Sequence, residues 1–292
     1  MAGPRPFKIQ IFVAEGIPDG LRLVEKSNWI GQGIICPRAR WAAVKGRSEF
    51  DKSGVYILVG RGGDDDRPTL YVGEAETVRA RLNSHHANKE FWSQAIVFTT
   101  KGDPLNKAQV QYLEARLVEL ATEFRRCLLD NGNAPNRPGL SDADSAEIEG
   151  YLEEMLSLLP VLGVHAFESL RGGGSGPVEP QLTFSLRARG CDATGFLTSD
   201  GFAVCAGSRA RLDVVPSMAV HVPQYLRARE SMISDGSLME QDQHYVLQED
   251  YSFPSPSAAA AIFMGRSANG RTEWKDPGGK TLKAHQEGEV AL

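Results

Sequence analysis

A run of glycine and proline after the middle of the chain constrains the fold more than any other sequence feature. Residues 172–180 read GGGSGPVEP and carry no apolar pattern that a helix or a strand could bury, which is typical of a linker. A chain of 292 residues is long enough for two domains. We therefore predict two separate domains that are joined by a linker over residues 171–181.

The composition excludes several classes of protein. Apolar residues make up 41% of the chain and charged residues 24%, which are ordinary values for a globular protein. Apolar runs such as residues 258–264 fall far short of the ~20 residues that cross a bilayer, and the N-terminus lacks the pattern of a signal peptide. The four cysteines are far apart in the sequence. They predict a reduced, cytoplasmic protein without disulfides or structural zinc, and we expect no membrane partner.

The net charge of −5 is unevenly distributed along the chain. Residues 1–50 contain eight Lys or Arg against four Asp or Glu, whereas residues 142–168 contain seven acidic residues and no basic one. A polyanion could therefore bind near the N-terminus although the whole chain is acidic. We interpret residues 1–50 as a basic extension that packs on the core of the N-terminal domain.

The spacing of apolar residues predicts mixed strands and helices in both halves. In the N-terminal half, the expected strands cover residues 7–13, 54–59, 70–72, 92–99 and 163–170. The expected helices there cover residues 78–86 and 107–129, followed by an acidic helix that begins after an N-cap at Ser141. The C-terminal half shows expected strands at residues 182–189, 194–206 and 245–247 and expected helices at residues 222–234 and 257–264. This half is therefore predicted to be a small α+β domain.

Glu114 lies at an unusual place on the longest predicted helix. With roughly 100° of rotation per residue, it falls about 40° from Val110 and so inside the apolar arc of the helix. A carboxylate on such a face is unfavourable unless it is paired, protonated or bound to a metal. Two interpretations stay open: a structural ion pair with Arg125 as a candidate partner, or a metal-binding carboxylate.

Arg81 and His85 are four residues apart on the predicted helix 78–86 and therefore share one face. An arginine binds phosphate through two N–H groups, and a neutral histidine can donate to or accept from the same group. Arg79 is rotated from Arg81 by roughly 200° and is expected to point elsewhere. An ordinary solvated helix surface is the alternative interpretation.

Two tyrosines lie in the predicted hairpin that precedes this helix. Tyr56 ends the sequence GVY in the first strand, and Tyr71 begins the sequence YVG in the second. Strand tyrosines are usually core residues. A phenol beside a metal or an arginine can, however, also shuttle protons.

The order of these elements resembles that of the GIY-YIG nuclease superfamily, which includes phage homing endonucleases, some restriction enzymes and the incision subunit of bacterial excinuclease. The resemblance covers residues 52–135 and rests on GVY, YVG, Arg81, His85, Glu114 and an Asn-containing turn, in that order. The C-terminal half resembles an uncharacterised domain that is often appended to such nucleases in prokaryotes. DNA repair and phage defence are the settings that the resemblance suggests.

The resemblance implies an α+β protein with a small, mainly antiparallel mixed sheet flanked by helices, and a second small α+β domain. The implied nuclease domain, with its acidic helix, covers residues 51–170, and the accessory domain covers residues 182–292. The accessory domain and the basic extension are expected to help in substrate binding rather than in chemistry.

Residue by residue, the resemblance implies a site that hydrolyses phosphodiester bonds in DNA. Tyr56 would be the general base or would position the attacking water, and Tyr71 would support the phosphate or the water. Arg81 would hold the scissile phosphate and stabilise the charge that develops on it. His85 would form a hydrogen bond near the base.

The resemblance also implies a metal and a terminal asparagine. Glu114 would be the sole protein carboxylate on one Mg²⁺, for which Mn²⁺ could substitute, because Mg²⁺ needs few carboxylates beside water and phosphate. The family asparagine corresponds to Asn131 or Asn133.

DNA is the expected partner, and a homodimer stays open. The residues expected to contact DNA outside the catalytic set are Arg38, Arg40, Lys45, Arg47, Arg79 and His86. The alternative is a nucleic-acid-binding or regulatory module that keeps the nuclease fold without catalysis.

Overall fold

The computed structural model describes residues 6–61, 67–170 and 182–290. Within them the chain forms two compact units, the first of residues 6–61 and 67–168 and the second of residues 169–170 and 182–290. Each unit has its own sheet and its own helices, so the predicted α+β class is confirmed. The predicted linker at residues 171–181 lies outside the described residues.

The first unit is built on a seven-stranded sheet. Its strands are β1 (Ile9–Val13), β2 (Arg22–Lys26), β3 (Gly31–Pro37), β4 (Gly54–Gly60), β5 (Thr69–Ala75), β6 (Trp92–Thr100) and β7 (Leu128–Leu129). They lie side by side in the order β1-β2-β3-β6-β4-β5-β7, and each neighbouring pair is antiparallel except β5 and β7. The sheet is therefore mixed and mainly antiparallel, as expected.

Helices cover both faces of this sheet. The helices of the first unit are α1 (Trp41–Val44), α2 (Val78–Asn88), α3 (Lys107–Phe124) and α4 (Asp142–Leu158). Side chains alternate along β4, so that Val55 and Ile57 face a core shared with α3 and α4. Tyr56 and Leu58 face the opposite core, which is shared with α1 and α2.

Residues 1–50 do more than pack on the core. β1 lies where the sequence predicts a strand, and the unpredicted β2 and β3 connect it to β6 within the same sheet. Gly33, Ile34, Ile35 and Cys36 are buried in succession, because β3 has neighbours on both faces. A strand covered on both faces lacks the alternation by which a strand is recognised in a sequence.

Two other sequence predictions for this unit are wrong in part. α3 ends at Phe124 and not near residue 129, because Arg125 adopts a left-handed conformation with φ of 49° that ends the helix. The chain then forms the short strand β7 instead. Residues 163–170, which are predicted to be a strand, form turns after a left-handed Gly163.

The second unit also has a seven-stranded sheet. Its strands are β8 (Thr183–Ala188), β9 (Cys191–Thr198), β10 (Gly201–Val204), β11 (Arg209–Arg211), β12 (Leu238–Gln241), β13 (His244–Leu247) and β14 (Tyr251–Phe253). Its helices are α5 (Met218–His221), α6 (Pro223–Ser234), α7 (Pro256–Met264), α8 (Gly270–Glu273) and α9 (Leu282–Val290). The strand order is β12-β13-β11-β9-β10-β14, and β8 pairs with residues 191–196 of β9 outside this order.

The core of the second unit surrounds α7. Every residue from Ala258 to Met264 is buried, and Ser255 caps the helix by accepting a hydrogen bond of 3.1 Å from the Ala258 N–H. Trp274 packs against Phe202 from the sheet at 4.6 Å between ring centroids. None of the described helices combines the length and the apolar character needed to span a membrane.

Candidate active site

The register between β4 and β5 brings the GVY and YVG motifs together. Tyr56 lies directly opposite Gly73 in this antiparallel pair. A Cβ atom at residue 73 would lie 2.4 Å from the Tyr56 hydroxyl, which is far too close for any side chain. Glycine is therefore required at residue 73, because the Tyr56 ring crosses the space that a side chain would fill.

Tyr56, Tyr71 and His85 form a compact cluster on the α2 face of the sheet. The Tyr56 hydroxyl lies 2.8 Å from His85 Nε2. The His85 ring lies 4.8 Å from the Tyr71 ring and 5.6 Å from the Tyr56 ring, measured between centroids. Three residues that are separated along the sequence thus meet at one point of the structure.

Burial separates the members of this cluster into an inner and an outer part. Tyr56 is 0% exposed, whereas Tyr71 and His85 are half-buried. Burial also raises the pKa of Tyr56, with a further contribution from Tyr71. Tyr56 is therefore a neutral, buried phenol whose hydroxyl lies at hydrogen-bond distance from His85.

His85 is uncharged at neutral pH. Burial lowers the pKa of its imidazole from 6.5 to about 4, and the charges of Lys89 and Arg81 act in the same direction. A neutral imidazole carries one N–H donor and one acceptor nitrogen. When the Tyr56 hydroxyl donates to Nε2, the proton of the neutral His85 ring lies on Nδ1.

Arg79 and Arg81 point in different directions, as their spacing predicts. Arg79 donates to Asp51 Oδ2 at 2.8 Å and to the Arg47 carbonyl at 2.9 Å. Arg81 is exposed, and the ion pairs of the described residues do not include it. Its guanidinium group is therefore available to a ligand on the side of His85.

Glu114 approaches the edge of β5 from α3, on the other face of the sheet. It is half-buried, and burial together with the charge of Glu74 raises the pKa of its carboxyl to about 7. Within the described part of the chain Glu114 forms no ion pair, and Arg125 lies at the end of α3 instead of beside it. The ion-pair interpretation with Arg125 is therefore wrong.

The outer edge of β5 is held by Asn131. Its Oδ1 accepts a hydrogen bond of 3.0 Å from the Val72 N–H, and its Nδ2 donates at 2.8 Å to the Val72 carbonyl. Asn133 is exposed, so Asn131 is the asparagine that contacts the site. The Oδ1 and Nδ2 atoms of Asn131 both bond to the backbone of Val72, so this side chain holds β5 in place.

Glu74 is a site residue that sequence reasoning missed. It directly follows YVG, and its carboxylate accepts hydrogen bonds from Lys107 Nζ at 2.8 and 3.1 Å. Backbone groups two residues apart on a strand point to the same edge, so the Glu74 N–H shares the outer edge with Val72. At this edge, a hydrogen bond from the Glu74 backbone favours the charged form of the Glu114 carboxyl. A charged residue next to the motif was the only signal in the sequence.

Arg81 affects both the Tyr56–His85 pair and Glu114. Its positive charge acts on the titration of Tyr56, His85 and Glu114 alike. The described residues contain no group of three or more His, Cys, Asp or Glu that could hold a metal ion. The half-buried carboxylate of Glu114, with the charge of the exposed Arg81 acting on it, is the arrangement that the described residues form.

The basic residues expected to bind DNA are mostly used within the protein. Arg38 donates to backbone carbonyls at the end of α2, including that of His86 at 3.1 Å. Arg40 forms an ion pair with Glu15, and Arg47 forms one with Glu49. Apart from Arg79, described above, the expected set also includes Lys45 and His86. Lys45 is exposed, and His86 is half-buried against Trp92.

A groove of about 420 Å³ lies elsewhere in the first unit, between Lys8, Lys26 and Lys101. None of the candidate site residues lines it.

Comparison with known proteins recognises part of the second unit. Residues 184–286 match a family described as a domain of unknown function (DUF4357), which agrees with an uncharacterised C-terminal domain. No curated protein and no solved structure matches the chain. The nuclease resemblance of residues 52–135 has no counterpart among these matches.

The Gly73→Ala substitution tests the packing of Tyr56. The added methyl group must displace the Tyr56 ring, and such overpacking costs about 1–3 kcal/mol of unfolding free energy. Urea denaturation measures the loss. Gly102→Ala is the control, because a Cβ atom there has no neighbour within 4 Å. Equal stability of the two variants would contradict the packing described here.

The Asn131→Ala substitution tests the hold on β5. It removes both hydrogen bonds to Val72, for which we expect a loss of about 1–3 kcal/mol in unfolding free energy. Asn133→Ala, at an exposed position, should change stability by less than about 0.5 kcal/mol. Hydrogen exchange of the Val72 amide gives an independent readout, since the amide should exchange faster only in Asn131→Ala.

Proposed function

We propose that the first unit is a metal-dependent endonuclease of the GIY-YIG type, which hydrolyses phosphodiester bonds in DNA. One observation carries the proposal. The neutral Tyr56–His85 pair and the half-buried carboxylate of Glu114 approach the same strand from opposite faces, and the charge of Arg81 reaches both. A structural role alone requires no such convergence.

The donor set fits a divalent cation. Glu114 is half-buried and has no ion-pair partner among the described residues, and its carboxyl titrates near neutrality for that reason. Glu74 brings a second carboxylate close by. A Mg²⁺ ion held by Glu114 would neutralise charge that develops on the phosphate and would acidify nearby water.

Arg81 and Tyr71 are the groups that meet the phosphate. Arg81 is exposed and can donate two parallel hydrogen bonds to phosphate oxygens. Groups that stabilise charge at the reacting centre typically contribute about 10²–10³-fold to the rate. The half-buried Tyr71 hydroxyl supports the phosphate or the attacking water beside it.

His85 and Tyr56 orient the attacking water. With its proton on Nδ1, neutral His85 presents an N–H donor to the open side, and Tyr56 holds the ring through Nε2. Tyr56 is thus a positioning residue in this mechanism, since its buried hydroxyl does not reach the substrate. The second unit and Lys45 would add contacts to DNA without taking part in the chemistry.

The Glu114→Gln substitution tests the proposed metal ligand. It should abolish Mg²⁺-dependent nicking of plasmid DNA, because the neutral amide cannot replace a carboxylate on Mg²⁺. The fold should remain intact, since the substitution relieves a partly buried charge. Glu123→Gln, at an exposed position on the same helix, should retain full activity. Full activity of Glu114→Gln would refute the proposed metal ligand.

The Arg81→Ala and Arg79→Ala pair tests which face of α2 meets the phosphate. Arg81→Ala should lower the single-turnover rate at saturating DNA by about 10²–10³-fold. Arg79→Ala removes an exposed ion pair with Asp51, which is worth at most about 1 kcal/mol, and should leave that rate unchanged. Equal rate losses in the two variants, with both folded, would show that the proposal puts the wrong face of α2 in the site.

A further inference from the structure

Lys89, just after the end of α2, lies against the outer part of the candidate site. Its Nζ atom is 4.5 Å from the centre of the Tyr71 ring, which is a favourable distance for a cation above an aromatic face. The same ammonium group forms an ion pair with Asp130. The Lys89 side chain is 27% exposed and that of Asp130 is 39% exposed.

The backbone of Lys89 is fixed relative to His85. The Lys89 N–H donates to the His85 carbonyl at 2.9 Å, and the Lys89 carbonyl accepts a hydrogen bond from Arg38. The backbone of Lys89 is therefore fixed by these two hydrogen bonds. Its ammonium group is held over the Tyr71 ring by the ion pair with Asp130.

Asp130 is fixed in turn to the strand that carries Tyr71. The Asp130 N–H donates to the Leu70 carbonyl at 2.8 Å, one residue before Tyr71. Asn131 holds Val72, one residue after Tyr71. The Asp130–Asn131 segment thus holds the backbone on both sides of Tyr71, and Lys89 covers its ring.

We propose that Lys89, anchored by Asp130, is a positioning residue of the candidate site, which fixes the Tyr71 ring against His85 and places a positive charge beside the imidazole. The proposal rests on the proposed function, because it assigns Lys89 a role in that same site. Lys89 has no direct contact with substrate in this arrangement.

The charge of Lys89 has a defined effect on His85. It disfavours protonation of the imidazole and so lowers the pKa of His85, second only to burial, while Asp130 acts in the opposite direction. The titratable and charged groups around His85 are Tyr56 from β4, Tyr71 from β5, Arg81 and Lys89 from α2 and its end, and Asp130 after β7. Lys89 therefore helps to keep His85 neutral and opposes the effect of Asp130.

Titration of His85 by nuclear magnetic resonance in the full chain tests this role without any assay of activity. The signal is assigned by its loss in His85→Gln. In Lys89→Met, we expect the pKa of His85 to rise toward the ordinary value of about 6.5. Lys89→Arg keeps the positive charge and should leave the pKa of His85 unchanged. Lys101→Met is the matched control, since Lys101 forms a similar half-exposed ion pair with Glu25 away from the site.

The outcomes separate this proposal from the proposed function. An unchanged pKa of His85 in Lys89→Met, or an equal rise in Lys101→Met, would overturn the role of Lys89. In cleavage assays, the acidic limb of the rate profile should move to higher pH in Lys89→Met and return in Lys89→Arg. A raised pKa of His85 in a protein that cleaves no DNA would support the electrostatic role and contradict the nuclease.

Discussion

The pairing of β4 with β5 is the constraint on which the candidate site depends. It sets Tyr56 opposite Gly73, and only glycine leaves room for the tyrosine hydroxyl there. A shift of one residue would turn Tyr56 to the other face of the sheet, away from His85. Asn131 holds the outer edge of the same strand β5 by its two hydrogen bonds to Val72. The positions of the site residues therefore follow from the pairing of these two strands.

Burial then determines the charge state of each group. It keeps Tyr56 protonated and His85 neutral, and it raises the pKa of Glu114 toward neutrality with the help of Glu74. The result is a neutral hydrogen-bonded pair on one face and a poorly compensated carboxylate on the other. Arg81 lies between them without an ion pair among the described residues. In the proposed function, a divalent cation would bind at Glu114 and a phosphate at Arg81.

The sequence was sufficient to predict the parts of the site that depend on local spacing. The i,i+4 relation of Arg81 and His85, the divergence of Arg79 and the partly buried position of Glu114 all follow from helix geometry. The positions of Glu74 and Lys89 in the site, and the Asn131 contact with Val72, depend on which strand edges meet. The spacing of residues along a single helix or strand carries no information about this. The same limit applies to β3, since a strand buried on both faces shows no alternation.

Incubation of the full chain with defined DNA and RNA substrates tests the central claim most directly. The panel contains single-stranded, duplex and branched DNA and an RNA of matched sequence, each with Mg²⁺, with Mn²⁺ and with a chelator. The account predicts endonucleolytic products from at least one DNA substrate that require the metal and disappear with the chelator. Binding of nucleic acid without any cleavage under either metal would contradict it, and would favour a module that keeps the fold without catalysis.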